Sequence, residues 1–163
     1  PTVVLGGTPQ TVTGAAEGVY SVALSDMLVA DTEYTLNING TDYSFTTGDG
    51  EFKASNLRFK DTTNGDVPNL VNDAVICANV DVFNSNKVAA KPMVIWAAYD
   101  GDVLKAVDFE ELNAASGADN VTVAATKTLT VTGEYTTVKA FLWDGFNTIV
   151  PLTADAEVTR AAE

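Results

Sequence analysis

The chain has 163 residues, with 22 acidic and 9 basic side chains and no histidine, and its formal charge is −13 although 46% of its residues are hydrophobic. This apolar content is typical of a folded chain, because burial can offset the entropy lost on ordering. The acidity argues against nucleic-acid partners, which are bound by clustered Lys and Arg, and against anionic membrane surfaces. The missing histidine removes the most common general base and zinc ligand. The composition therefore favours a protein that is not an enzyme.

Cysteine use and composition point to a setting outside the cell. Cys77 is the only cysteine, so no disulfide can form within the chain, and the bland interpretation is a buried, inert thiol. No apolar stretch of about 18 residues predicts a membrane span. The chain begins with Pro1 rather than Met, which is typical of a processed or excised piece. A Thr-, Asp- and Ala-rich, Lys-poor chain without disulfides predicts an extracellular or bacterial cell-surface location.

Alternating polar and apolar residues predict strands in the first 50 residues. The clearest pair is Glu33–Ile38 and 41–47, joined by Asn39-Gly40, because both turn residues tolerate positive φ. Shorter strands are predicted over 2–5, 10–13 and 19–24. Residues 1–50 contain six acidic side chains and no Lys or Arg, and Gly48-Asp49-Gly50 predicts a turn. We place a module boundary at this turn.

Strand patterns continue after the turn at roughly 10-residue spacing, which predicts an all-β, antiparallel β-sandwich. The predicted strands are 57–60, 75–83, 93–99, 103–109, 121–131 and 138–143. Asp100-Gly101 predicts a tight hairpin, residues 108–115 fit a helix or a loop, and residues 154–162 fit a helix. The side chains expected in the core are Leu57, Phe59, Ile76, Val80, Val82, Val94, Trp96, Ala98, Phe141 and Trp143.

Three segments of the second part carry a family resemblance. They are Leu57-Arg58-Phe59-Lys60-Asp61, Val80-Asp81-Val82-Phe83-Asn84 together with the run 92–102, and the closing run 138–152, which reads VKAFLWDGFNTIVPL. This stretch resembles the C-terminal β-sandwich module, immunoglobulin-like or fibronectin-III-like, of secreted Firmicutes proteins. The resemblance implies a complete sandwich over 51–152, a C-terminal tail over 153–163, and an accessory or spacer role without catalytic residues.

The first part resembles the later strands of a bacterial immunoglobulin-like domain, through the runs 30–36 and 43–47. The resemblance implies a partial module over 1–48 that lacks the first two strands of its sandwich. Such a fold leaves unpaired edges and an open core. It can close with fewer strands, be filled by another segment such as residues 154–160, or accept a strand from a neighbouring chain.

Two groups of oxygen-bearing side chains are candidate calcium ligands. Asp61, Asn64 and Asp66 alternate around Gly65, as in a loose calcium loop, but the bidentate Glu that ends an EF-hand loop is missing. Asp100 and Asp102 flank Gly101 at a hairpin tip. The structural alternative for both groups is an ordinary Asx-rich turn. No other cofactor is expected.

Planar aromatic side chains are the candidates for stacking on sugar rings: Trp96, Tyr99 and Trp143. The two Trp residues also lie in apolar strands, where packing in the core is the competing interpretation. Adjacent Glu110 and Glu111 are the only candidates for a glycosidase pair, and neighbouring residues point apart.

The sequence therefore predicts a non-catalytic structural or spacer module of a bacterial extracellular or cell-surface protein. Its expected partners are adjoining domains of a longer chain or like subunits. One alternative is a carbohydrate-binding module with a glycan partner, and the other is a filament or surface-layer subunit that assembles by strand donation.

Overall fold

The computed structural model describes residues 1–14, 18–24 and 28–161, and strands are its only long regular elements. The prediction of an all-β, antiparallel β-sandwich is confirmed. Among the described residues, no helix has the length and apolarity needed to cross a membrane. The strands are β1 (Val3–Leu5), β2 (Thr8–Pro9), β3 (Thr11–Gly14), β4 (Tyr20–Ala23), β5 (Glu33–Ile38), β6 (Thr41–Thr46), β7 (Phe52–Asp61), β8 (Val75–Asn84), β9 (Met93–Asp100), β10 (Val103–Glu111), β11 (Ala118–Ala124), β12 (Leu129–Thr130), β13 (Thr137–Trp143) and β14 (Ala156–Thr159).

Strands β7 to β14 form the sandwich. One sheet has the order β10-β9-β13-β14, and in the other β8 pairs with β7 on one side and with β11 and β12 on the other. The core lies between them and draws Ile76 and Val80 from β8, Val94 and Trp96 from β9, and Leu142 from β13. Because β8 and β9 are central strands, most of their side chains are buried, which explains their long apolar runs.

Strands β1 to β6 form a smaller and more open group. Its sheet has the order β2-β1-β5-β6, and β3 pairs with β4 as a separate hairpin. The predicted turn between β5 and β6 is present, because Asn39 and Gly40 have φ values of 51° and 88°. Val3 and Leu5 are buried, whereas every residue of β6 is exposed.

Three local predictions in the second part are wrong. The range 121–131 is not one strand, since β11 ends at Ala124 and β12 begins at Leu129. Residues 108–111 continue β10, and residues 112–115 form a loop, so the helix alternative over 108–115 is wrong and the loop alternative holds only after Glu111. The helix expected over 154–162 is strand β14, which pairs with β13. Val158 of β14 is buried in the core, so the sandwich extends past the predicted limit at residue 152.

Eight of the ten expected core residues lie in the core, and two do not. Val138, Ala140 and Leu142 are the buried residues of β13, so Phe141 and Trp143 lie on the opposite, outer face, where they are half-buried. Strand β13 carries apolar side chains on both faces, and the alternation alone did not show which set points inward.

Candidate functional site

The two groups of strands meet at a joint made of residues 29–32, 47–51 and 84–87. The amide of Ala30 donates to the carbonyl of Ser85 at 2.6 Å, and Lys87 Nζ donates to the carbonyl of Asp31 at 3.0 Å. Ala30 is buried although its own group of strands is open. The first group thus contacts the sandwich through a backbone hydrogen bond, through the Lys87 side chain, which also lies 3.9 Å from the Asp31 carboxylate, and through close packing.

The chain that connects the groups is fixed at the same place. The amide of Asp31 donates to the carbonyl of Gly48, and Thr47 Oγ1 donates to the carbonyl of Val29 at 2.6 Å. The amide of Ser85 donates to the carbonyl of Glu51, and the amide of Glu51 donates to the hydroxyl of Ser85. Hydrogen bonds therefore fix the predicted turn at 48–50 to the first group of strands through Gly48, and to the sandwich through the adjacent Glu51.

Gly50 sits where no side chain fits. A Cβ atom built on Gly50 would overlap Asn86 Oδ1 and would lie 2.7 Å from Asn86 Cα and 2.8 Å from the Cβ of Ala30. At Gly48, two residues earlier, such an atom would meet nothing within 4 Å. The close approach of the two groups depends on glycine at position 50 and not at position 48.

A fully buried amide supports the sandwich side of the joint. Asn84 Nδ2 lies within 3.1 Å of the carbonyl oxygens of Val88, Ala114 and Ala115. Asn84 Oδ1 accepts hydrogen bonds from the backbone and side-chain amides of Asn86. Since a buried polar group is costly unless it is bonded, this network fixes the loop after β8, which carries the Ser85 and Lys87 contacts.

The three predicted sugar-stacking residues do not lie together. Trp96 is a core residue with 3% of its surface exposed, so it offers no stacking face. Tyr99 and Trp143 lie on the outer face of the sheet β10-β9-β13-β14, where Tyr99 is opposite Thr137 and Trp143 is opposite Met93. Six residues along the strand separate the two positions, or roughly 20 Å.

A groove on this outer face contains Tyr99 but not Trp143. It has a volume of about 460 Å³ and is lined by Tyr99, Asp102, Lys139, Phe141 and Glu157, with Gly101 and Thr137. Lys139 and Glu157 pair across β13 and β14 at 2.7 Å, and this hydrogen bond raises the pKa of Lys139. The groove thus combines two aromatic rings with an ion pair and a further carboxylate.

The side chains of the first predicted calcium group accept hydrogen bonds from their own turn, from Lys60 and from Asn79. Asp61 Oδ1 accepts hydrogen bonds from the Thr63 amide and hydroxyl and from the Gly65 amide, and these bonds, the Thr63 hydroxyl first, lower the pKa of Asp61. Asp66 pairs with Lys60 at 2.7 Å, which lowers the pKa of Asp66. Asn64 Oδ1 accepts from Asn79.

The second predicted group is also divided. Asp100 pairs with Lys105 at 3.4 Å, while Asp102 lines the groove. Within residues 1–14, 18–24 and 28–161, no three Asp, Glu, Cys or His side chains are grouped so that they could hold a metal ion. Glu110 accepts from Thr126 and Lys127 and Glu111 pairs with Lys91, so these adjacent carboxylates have separate partners.

The chain was compared with family models, with curated proteins and with solved structures, and none of the three comparisons gave a match.

The sequence predicts a boundary at 48–50 and singles out Tyr99 and Asp102, but it does not show that the boundary is a fixed joint or that Lys139, Phe141 and Glu157 complete the groove. The joint consists of backbone groups, a glycine and short polar side chains, which carry no periodic signal. Phe141 and Lys139 were assigned to an apolar strand, and the groove depends on β14, which reads as a polar tail. A polar residue at the end of a long apolar run, Asn84, was the one available sign of a buried network.

Proposed function

We propose that this chain is a non-catalytic structural module that holds its neighbours at a set distance in an extracellular or cell-surface protein of a bacterium. The observation that carries the proposal is the joint, where Ala30, Gly50 and Ser85 bring two groups of strands into direct contact. A spacer has to transmit orientation, and a joint built from hydrogen bonds and a close approach does so better than a free linker.

The strand order supports an immunoglobulin-like or fibronectin-III-like assignment for residues 52–159. Three strands, β7, β8 and β11, face four strands in the order β10-β9-β13-β14, with β12 adding a short pair to β8. Seven-stranded sandwiches of this class recur in surface proteins without sequence similarity. The bacterial and extracellular parts of the proposal are supported by composition.

The matched pair Gly50→Ala and Gly48→Ala tests the proposal. The added methyl at position 50 has to displace the Asn86 backbone or Ala30, whereas at position 48 it enters open space. Small-angle X-ray scattering is expected to give a larger radius of gyration for Gly50→Ala and an unchanged one for Gly48→Ala. Amide NMR shifts of β5 and β9 are the control that both groups of strands stay folded. Equal radii for the two variants would count against a joint that sets the geometry.

Carbohydrate binding is a second candidate function, because the groove places Tyr99 and Phe141 beside the Lys139–Glu157 pair. Aromatic rings cover the apolar faces of sugars, and charged groups bond their hydroxyls. Calorimetric titration with cellohexaose, xylohexaose and chitohexaose tests this function. Binding that falls about tenfold in Tyr99→Ala and in Phe141→Ala, but not in Tyr43→Ala, would support it. No heat of binding with any of the three sugars would reject it.

A further inference from the structure

A second, smaller cavity adjoins the groove at Phe141. It has a volume of about 190 Å³, and Phe141 lines both cavities. Trp143, two residues further along β13, lines the second cavity, as does Asp155, which directly precedes β14. We call the two cavities together the long cleft, and its residues extend from Tyr99 past Phe141 to Trp143.

Three aromatic side chains line the long cleft one after another along the strands. Phe141 and Trp143 lie on the outer face of β13, and Tyr99 of β9 lies on the same face of the sheet. Because Tyr99 is opposite Thr137, its position is four residues from Phe141 and six from Trp143, or roughly 13 Å and 20 Å. All three side chains are half-buried, so the sheet holds each ring in place. A ligand that contacts all three rings has to be an extended chain.

The strands that carry the rings are paired on both sides, which does not suit a peptide as the ligand. β9 pairs with β10 and β13, and β13 pairs with β9 and β14, so both are central strands. An added peptide strand is held mainly by unpaired amides and carbonyls at the edge of a sheet. A sugar chain needs no such groups, because its rings stack on aromatic side chains and its hydroxyls bond polar ones. The long cleft therefore favours an oligosaccharide.

The charged side chains that line the long cleft are mainly acidic. Three carboxylates, Asp102, Asp155 and Glu157, lie there with one lysine, Lys139, so their net charge is −2. The hydrogen bond from Lys139 to Glu157 at 2.7 Å, with a smaller effect of the Asp155 charge, raises the pKa of Lys139. Among the described residues, the carboxylates of Asp102 and Asp155 have no hydrogen-bond or ion-pair partner. Two carboxylates of the cleft can thus receive a cation, whereas its lysine is already bound and does not favour an acidic sugar.

The two carboxylates without partners lie in different cavities of the long cleft. Asp102 lines the groove together with Tyr99, and Asp155 lines the second cavity together with Trp143. A chain in which every unit combines a ring with a cation can meet both pairs of side chains at once. Aromatic rings also attract ammonium groups, so each ring adds to the effect of the carboxylate beside it.

We propose that the long cleft binds an oligosaccharide whose sugar units carry free amino groups, as in an oligomer of glucosamine. The sugar rings stack on Tyr99, Phe141 and Trp143, and the ammonium groups pair with the carboxylates of Asp102 and Asp155. This ligand class rests on the second candidate function, carbohydrate binding, and does not depend on the joint, since the long cleft and the joint share no residue.

Calorimetric titration of the full chain with two hexamers that differ only in their amino groups tests the ligand class. At about pH 5.5, where amino groups are protonated and Asp side chains ionised, glucosamine hexamer is expected to bind at least about tenfold more tightly than chitohexaose, whose amino groups are acetylated and uncharged. Equal or weaker binding of glucosamine hexamer would overturn the proposal and leave carbohydrate binding intact. No heat from either hexamer would overturn both. Lysine hexamer is the control for charge alone: no heat supports the proposal, and binding as tight as that of glucosamine hexamer would overturn it.

Single substitutions show whether the ligand lies in the long cleft. Asp102→Asn and Asp155→Asn are each expected to weaken binding of glucosamine hexamer about fivefold and to leave binding of chitohexaose unchanged. Asp119→Asn, on β11 of the other sheet, changes the net charge equally and is expected to have no effect. The chain has two tryptophans, and Trp96 is buried, so saturating glucosamine hexamer is expected to change the tryptophan fluorescence of the wild type but not of Trp143→Phe. Equal losses of affinity in all three Asp variants, or an unchanged fluorescence of the wild type, would overturn the proposal.

Discussion

Replacement of Asn84 by Ala removes the buried amide that fixes the loop after β8. The two N–H groups of Nδ2 lose three carbonyl acceptors, one N–H being shared between two of them, and Oδ1 loses two hydrogen bonds from Asn86. The carbonyl of Ala114 keeps a second bond from the Ala90 amide, and that of Ala115 keeps one from Ala118, so these acceptors stay bonded. The carbonyl of Val88 loses the bond from Asn84 Nδ2, and the amide of Asn86 loses its bond to Asn84 Oδ1, but Val88 is exposed and Asn86 is half-buried, so water can replace these partners.

The expected cost follows from these losses. Each net hydrogen bond contributes about 1 kcal/mol, and an orphaned buried group costs about 1–3 kcal/mol. Because these two groups reach water, the cost comes from the hydrogen bonds lost by the fully buried amide and from the cavity it leaves. We therefore expect Asn84→Ala to lower the free energy of unfolding by about 2–4 kcal/mol. Asn79→Ala is the matched control on the same strand, because Asn79 is also buried but makes fewer and longer contacts. Within the described residues its Nδ2 donates to Asn64 at 3.3 Å and its Oδ1 accepts from Cys77 Sγ at 3.6 Å, and its expected cost is about 1–2 kcal/mol.

Urea denaturation followed by tryptophan fluorescence measures both costs. If Asn84→Ala loses no more stability than Asn79→Ala, the buried network does not stabilise the sandwich side of the joint, and the reasoning is refuted.

Two further predictions concern the core and the response to acid. Trp96→Ala is expected to lower the free energy of unfolding by about 3–5 kcal/mol, because Trp96 is a core residue. Trp143→Ala is expected to lower it clearly less, because Trp143 lies half-buried on the outer face. Equal losses of stability in thermal denaturation would contradict this placement. Hydrogen bonds from Thr122, Asn56 and Arg58 lower the pKa of Asp81 to about 2. The ionised carboxylate therefore adds its full contribution to the free energy of unfolding above about pH 4, and this contribution is lost as the pH falls towards 2. When the pH is lowered from about 5 to about 2, the wild type should lose about 1–2 kcal/mol more stability than Asp81→Asn. If the stabilities of the two proteins fall in parallel with pH, this carboxylate is not stabilising.

The all-β class and most strand positions could be predicted because alternation and turn chemistry are local. Glu33–Ile38, Asn39-Gly40 and the following strand form a hairpin whose signals lie within 14 residues. Strand β14 could not be predicted, since Val158 is its only large apolar side chain and its position depends on pairing with β13. The break between β11 and β12 was hidden because the Thr-rich run 121–131 has strand propensity throughout.

The candidate sites were predicted less well because they are tertiary. Tyr99 was identified from its residue type, but its partners Phe141 and Lys139 are defined by which face of β13 points outward. Asp61 and Asp66 have the right spacing for a cation loop, yet local amides and Lys60 bond their oxygens. Residue type and spacing suggest ligands, and only the packing shows which groups already have partners.

The central claim is that the joint fixes the first group of strands to the sandwich, and residual dipolar couplings test it most directly. Couplings measured for the amides of β5 and of β13 in one aligned sample report the orientation of each group. The joint predicts that a single alignment tensor fits both strands. Two tensors of different magnitude would contradict a fixed joint and, with it, the proposed spacer function.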